Sequence, residues 1–464
     1  MNKKIIFFIL IIVVGILAFP AYENHIVEQR IAQEKTMLNA KGIELSIDMK
    51  QGYFVSIRKF DLTFKDGQAI ANAMKKSLID VYPLYQDSIE KYFKKEQANI
   101  VKNLEGTKFS GFITVDNLML NKPNLRLVLK ELSTDLMQNI KKDPSISSVV
   151  LPWLEHGLIA FKVIFNKDGS IERIAMRNFD EKFTSGAKKR ENHIKIIGNQ
   201  LIVLDKNSGE YRLKEEYITS KKASSNTDAI MMQLKDLNYK YKYDDMLNQT
   251  SSMRLKNFVF KIDDRLFMNL SLENFDVDSN IASTKDKTNF MANYKIDNIN
   301  YTTSRQPFKL GNLDFKIAFD DLDTQALKTF AKSYRILMLS KLKHDRASFN
   351  SDLQKVANKG FNLEVDGALT DMAYSMFTFK SINVKTNIKV APNDLGRHSK
   401  PSEIDKFVSM TADITLKQHD MDQFAIINPR LVNRFKKYAE KKGDDLTFHV
   451  VSENSKVTIN GKKL

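Results

Sequence analysis

The residues that could do chemistry are few. The chain has seven histidines: His25, His156, His193, His344, His398, His419 and His449. An imidazole can bind a metal or move a proton near neutral pH. No two of these have metal-ligand spacing, so each reads as a surface or partly buried residue. Asp320, Asp321 and Asp323 suggest calcium, but the oxygen-rich loop with its glycine and distal glutamate is missing. The three acids better suit the N-terminus of a following helix. Asp244-Asp245 and Asp263-Asp264 read as turn residues. There is no His-Glu-x-x-His, no Gly-x-Ser-x-Gly, no phosphate loop and no dinucleotide glycine pattern. The chain has no cysteine, which excludes disulfides, cysteine nucleophiles, thiolate zinc sites and cysteine-held iron–sulfur clusters. The expectation is therefore no catalytic residue, no metal ligand and no cofactor. A hydrolase whose carboxylates meet only on folding is the least supported reading.

The elements that would place such residues are easier to read. Lys3 and Lys4 precede an apolar run from Ile5 to Ala21 that includes Ile5, Phe8, Ile12, Val14, Leu17 and Phe19. At about 1.5 Å per residue this run just crosses a hydrocarbon core of about 30 Å. A cleaved signal needs small residues before the cut, and Phe19 is bulky where cutting after Ala21 would require a small one. Residues 1–22 are thus expected to be an uncleaved signal-anchor, with the lysines in the cytoplasm and Tyr22 at the interface. The rest would lie in the periplasm as the large domain of a single-pass inner-membrane protein. Of 464 residues, 72 are basic and 56 acidic, a net of +16. Without Lys3 and Lys4 the exported part keeps 70 basic residues, a net of +14. Clusters such as Lys188-Lys189-Arg190, Lys221-Lys222 and Lys436-Lys437 are too short for a nucleic-acid arm. Their competing readings are attraction to anionic headgroups and lysines that keep a β-rich surface soluble.

Beyond the anchor, His25 to Lys41 reads as a helix stopped by Gly42. Ile43 to Ile47 and Tyr53 to Phe64 alternate about a Gln51-Gly52 turn, forming a hairpin. Gln68 to about Leu104 reads as a helix bent at Pro83. Leu125 to Lys142 reads as another, with Leu125, Val128, Leu129, Leu132, Leu136 and Ile140 on one face, stopped by Pro144. From Leu158 the pattern is almost all strand. Exceptions are a polar loop from Lys221 to Asp228, a helix near 322–343, a shorter one over Ser348 to Lys359, and one near 429–442 that starts with Pro429. Trp153, in Leu151-Pro152-Trp153-Leu154, reads as a packing anchor, with a membrane-surface contact as the alternative. The expected division is 1–22 anchor, 23–157 hairpin plus helical region, and 158–464 extended antiparallel β region. The fold class is α+β: a transmembrane helix, then a large, curved, mostly antiparallel sheet braced by amphipathic helices.

One strand unit recurs, with apolar residues at i, i+3 and i+5. It appears at Ile57-Arg58-Lys59-Phe60-Asp61-Leu62, Val115-Asp116-Asn117-Leu118-Met119-Leu120, Leu234-Lys235-Asp236-Leu237-Asn238-Tyr239 and Leu255-Lys256-Asn257-Phe258-Val259-Phe260. It returns at Leu272-Glu273-Asn274-Phe275, Ile296-Asp297-Asn298-Ile299, Leu310-Gly311-Asn312-Leu313-Asp314-Phe315 and Phe379-Lys380-Ser381-Ile382. A regular strand puts i and i+3 on opposite faces. Either the polar pair absorbs one residue as a local bend, for which Asn is suited, or the first apolar residue simply faces the other way. Repeated bends would curl the sheet into a trough. Its candidate lining is Phe258, Phe260, Ile262, Phe275, Ile299, Leu313 and Phe315.

The chain resembles the YdgA-like family, bacterial envelope proteins of unknown function with one N-terminal membrane helix. The likeness rests on four places: the anchor, Gln51-Gly52-Tyr53-Phe54-Val55-Ser56, Leu310 to Phe315 running into Asp321-Leu322-Asp323, and Val457-Thr458-Ile459-Asn460-Gly461-Lys462. Gln51 stands where that family usually has Arg. The resemblance implies a periplasm-facing inner-membrane protein and carries over no catalytic residue. A weaker likeness, to AsmA- and TamB-like envelope proteins, implies a curved sheet that carries lipid. The resulting expectation is a non-enzymatic envelope protein that binds lipid or another amphiphile in a β trough. The alternative is an envelope scaffold acting through protein–protein contacts or self-association. Its partners are then membrane lipid, another envelope protein or a second copy, and not nucleic acid.

Overall fold

A computed structural model describes residues 28–29, 31–48, 55–81, 86–116, 124–166, 170–185, 190–222, 229–245, 247–263, 267–304, 306–340, 345–396 and 401–464. The anchor, the Gln51-Gly52 turn, Pro83, the 223–228 loop and the Asn117 to Leu120 half of one strand unit lie outside the described residues. Among the described residues no helix is long and apolar enough to cross a membrane. The chain is mostly antiparallel β-sheet with several helices, and it divides into two compact units, residues 1–204 and 205–464.

In the first unit, α1 (31–40) stops where Gly42 takes φ +81°; a Cβ there would lie 2.5 Å from the Asp66 carbonyl oxygen. Strands β1 (Ile43–Ile47) and β2 (Val55–Phe64) form the expected hairpin. Where one bent helix was expected there are two, α2 (Gly67–Val81) and α3 (Gln86–Leu104), packed on each other. β3 (Lys108–Asp116) pairs with β2 and with β4 (Asn124–Glu131). β4 corrects the helix expected over 125–142. Leu125, Val128, Leu129 and Leu132 fit helical spacing, but Leu125, Leu127 and Leu129 fit a strand equally well. Ladders on both sides, to β3 and to β5 (Ala160–Phe165), decide for the strand. The helix starts only at α4 (Thr134–Lys142), where the buried Ser133 hydroxyl accepts from the Leu136 N–H at 3.1 Å. α5 (Pro144–Glu155) begins on Pro144 and brings Trp153 to within 6.0 Å of the Phe179 ring. β6 (Ile171–Met176), the hairpin of β7 (Phe179–Ser185) and β8 (Arg190–Ile197), and β9 (Gln200–Asp205) follow. Ile57 of β2 is exposed while Ser56, Arg58 and Phe60 are buried, and the ladder to β3 is unbroken. At this copy of the strand unit the first apolar residue simply faces the other way. Burial lowers the proton affinity of the Arg58 guanidinium, and Glu28 partly offsets it.

The second unit opens as a meander of β10 (Ser208–Lys222), β11 (Ile230–Asp245), β12 (Asn248–Asp263) and β13 (Phe267–Ser283). β14 (Lys287–Ile296) and β15 (Asn298–Thr303) pair with the two halves of β13 and share one lane. β16 (Pro307–Leu310) and β17 (Asn312–Asp323) share the next. After α6 (Thr324–Ser340) and α7 (Asp345–Asn358) come β18 (Phe361–Tyr374) and β19 (Phe377–Val390). Short α8 (Pro401–Ile404) precedes β20 (Val408–Lys417), α9 (Gln418–Ile427) and α10 (Pro429–Lys436). The end is β21 (Glu440–Lys442), β22 (Asp445–Glu453), β23 (Lys456–Ile459) and β24 (Lys462–Lys463). The helix expected to 442 therefore ends at Lys436, because Glu440 to Lys442 pair with β22 instead. The helix expected from 322 starts at Thr324, because Leu322 and Asp323 still pair with β14. Asp323 then caps it, its carboxylate accepting from the Ala326 N–H at 2.7 Å. Helix α9 was not anticipated.

The other copies of the strand unit behave differently from β2. Between β10 and β11 the ladder skips Lys214 and Asp236; between β11 and β12, Asp236 and Lys256; between β12 and β13, Lys256 and Asn274. The break continues through Asp297 and Gly311, each joining two strands of one lane, to Asp371 and Lys380 between β18 and β19. Asp236, Asn274 and Asp371 have φ near +50°, a region that Asp and Asn tolerate better than most residues. A Cβ on Gly311 would lie 2.9 Å from that of Asp371, so only glycine lets the two lanes close here. The break thus runs across eight lanes at one level, supplied by three Asp, three Lys, one Gly and only one of the expected Asn.

Candidate functional site

Residues directly opposed in an antiparallel ladder project to the same face. The register of the second unit therefore assembles long rows. Below the break, Ile218 opposes Met232, which opposes Phe260, which opposes Leu270. Leu270 opposes Tyr301, Tyr301 opposes Phe308, and the row ends with Tyr374 and Phe377. A parallel row runs Leu234, Phe258, Leu272, Ile299, Leu310. A third starts with Ile230, Ile262 and Met268. Above the break, Tyr239, Met253, Val277, Tyr294 and Phe315 continue the same alternation.

Of the expected lining residues, Phe258, Phe260, Ile262 and Ile299 come together on three adjacent lanes below the break. Phe275, Leu313 and Phe315 lie above it, Phe275 opposite Leu255, Leu313 opposite Ile296 and Phe315 opposite Tyr294, their rings 6.2 Å apart. All seven are half-buried. Sequence reading missed Met232, Leu270, Tyr301, Tyr374 and Phe377, although the alternation in Ile230-Met-Met-Gln-Leu234 carries the signal.

This face is covered unevenly. At one place α6 and α7 bury Leu322, Ala326 and Val356 against Phe319 and Phe361. At another, α9 and α10 bury Leu416, Met421, Val432, Leu446 and Phe448. The helices of this unit pack chiefly on β17, β19 and β20, away from β10 to β16. On β15 Tyr301 keeps 36% of its surface exposed, and Tyr374, at the end of β18, keeps 47%. One carboxyl interrupts the second row: Glu216 opposes Leu234, and burial pushes its proton affinity up.

The opposite face is polar. Arg254 lies 3.3 Å from Asp276 and 2.7 Å from Asp278, Lys295 lies 3.1 Å from Asp314, and Lys316 lies 3.0 Å from Glu364. All of these but Glu364 line, with Asn293, Asp366 and Ala368, a concavity of about 620 Å³. Most of its charges are paired, which suits a solvated surface. Among the described residues, no group of three or more His, Asp or Glu could hold a metal ion.

A broad antiparallel sheet, broken along one line and apolar on one half-covered face, is the class that the geometry defines. Residues 203–464, which begin two residues before the second unit, match the family model described as "Bacterial protein of unknown function (DUF945)". The match spans more than half of the chain, and the chain belongs to that bacterial family. No curated protein and no solved structure matches it.

Proposed function

We propose that this is a non-enzymatic envelope protein that binds lipid or another amphiphile on the apolar face of its second unit. In this reading residues 1–22 hold it in the inner membrane and the rest faces the periplasm. The narrower likenesses, to YdgA-like and to AsmA- and TamB-like proteins, belong to the same proposal, as does the curvature that would make the face a trough. One observation carries it: the row from Ile218 to Phe377, which crosses eight lanes and remains partly exposed over its central lanes. At about 4.8 Å per lane, the row is about 34 Å long. A lipid chain spans half of a hydrocarbon core of about 30 Å, or about 15 Å. The row can therefore take an extended acyl chain along its whole length. Exposed apolar areas of this kind mark binding surfaces more often than idle ones.

The test is photo-crosslinking in cells with a benzoyl-phenylalanine at Phe260 or Tyr301, followed by mass spectrometry of the adducts. Lipid adducts at both positions are expected. Protein adducts alone would favour the scaffold reading, and an absence of lipid adducts overturns the proposal.

A further inference from the structure

The corner between α9 and α10 exposes apolar residues that the sheet does not use. Ile426 is 65% exposed and Ile427 55%. One turn earlier Phe424 is 38% exposed, but its ring packs 4.7 Å from that of Phe379 on β19. Single exposed apolar residues are ordinary, but two adjacent isoleucines at one helix corner are not. Asn428 ends α9, its N–H donating to the Phe424 carbonyl at 2.8 Å, and Pro429 opens α10 at once. The isoleucines thus sit at a fixed turn. Helix α10 turns Val432 into the core and leaves Arg430, Asn433 and Arg434 exposed. Arg430 and Arg434, four residues apart, lie on one side of it. No carboxylate pairs with either among the described residues. Lys436 and Lys437 follow, the first 3.5 Å from Asp422 and the second 4.9 Å from the Tyr438 ring.

Apolar side chains projecting beside unpaired cations match the interface of an anionic bilayer, where chains enter the headgroup boundary and cations meet phosphates. A protein partner with the same pattern would need an acidic rim around an apolar socket; the bilayer needs no such coincidence. We infer that the α9–α10 corner docks onto an anionic lipid surface, with Ile426 and Ile427 inserted and Arg430 and Arg434 on the headgroups. This contact is separate from ligand binding along the sheet, and either can fail without the other.

Because the chain has no cysteine, a single one can be labelled cleanly. The experiment places an environment-sensitive fluorophore on Ile427→Cys in the full chain, reconstituted in nanodiscs of anionic or zwitterionic lipid. A matched label on Asp244→Cys serves as control. Expected is blue-shifted emission, protected from aqueous iodide, at 427 in anionic discs only. Each basic residue near such a surface is worth about a fivefold change in population. Arg430→Glu with Arg434→Glu should therefore lower the docked-to-undocked ratio at least about 25-fold. Raising salt on the labelled chain without other changes should do the same, which keeps the test valid if the double variant fails to fold. Equal emission in both lipids, or no difference from the control, overturns the inference. So does a shift that follows protein concentration in detergent, which would show a second copy covering the corner.

Discussion

Asp420 shows what one side chain does at the end of the break in the sheet. It is fully buried in the first turn of α9, and its two oxygens accept from the backbone N–H groups of Lys380 at 2.7 Å and Ser381 at 2.9 Å. The β18–β19 ladder skips Lys380 and the β19–β20 ladder begins only at Ile382, so Asp420 supplies the acceptors that backbone donors need when water is kept away. Asp420→Ala should destabilise the second unit by about 3 kcal/mol, since each buried donor left unmet costs about 1–3 kcal/mol. Asp420→Asn, which keeps one accepting oxygen, should lose less; urea unfolding of both variants checks the order. Asp352 offers a pH test. The Lys355 ammonium at 2.7 Å and the Ser333 hydroxyl hold its carboxyl below the ordinary carboxylate range. A lowered carboxyl contributes stability that is full above the unfolded value, near 4, and is lost as pH falls through the lowered one. Thermal melts from pH 7 to pH 3 should therefore fall less steeply for Asp352→Asn than for the parent chain.

At the scale of elements, the break line explains why sequence reading succeeded in some strands and not in others. The i, i+3, i+5 spacing is the same in β2 and in β11. In β11 Asp236 takes positive φ and the ladder skips it, whereas in β2 Lys59, at the same place in the unit, continues the ladder opposite Phe112. Spacing alone cannot distinguish them, because the choice depends on whether neighbouring strands break at the same level. Asp236→Gly should be neutral or stabilising by up to about 1 kcal/mol, and Asp236→Val should cost about 1–2 kcal/mol. Denaturant midpoints measure both. Terminal signals were more legible: Gly42, Asp323, Pro144 and Pro429 all stand where helices stop or start. The strand β4 and the helix α9 were not. Leu125 to Leu132 satisfies both periods, and α9 carries its apolar residues around its circumference, with Met421 inward and Ile426 outward.

At the scale of the whole molecule, the apolar face could be read residue by residue but not as a surface. Phe258, Phe260 and Ile299 were legible as strand residues, while their alignment with Met232, Leu270 and Tyr301 is a property of register, which no single strand encodes. Register also makes a sharp prediction. Asn300 and Tyr301 are neighbours in β15 but point to opposite faces. A crosslinker at 301 should capture lipid and one at 300 should not, by the same mass-spectrometric readout. Equal capture at both would mean that lipid merely coats the protein.

The shared level of the break has a consequence for size. Because every lane from β10 to β19 carries its irregularity at the same height, a further lane would extend the rows without shifting the break. Inserting one hairpin of two such lanes would lengthen the rows by about 10 Å. On the proposed function, the number of strands would set the length of ligand that the rows can hold.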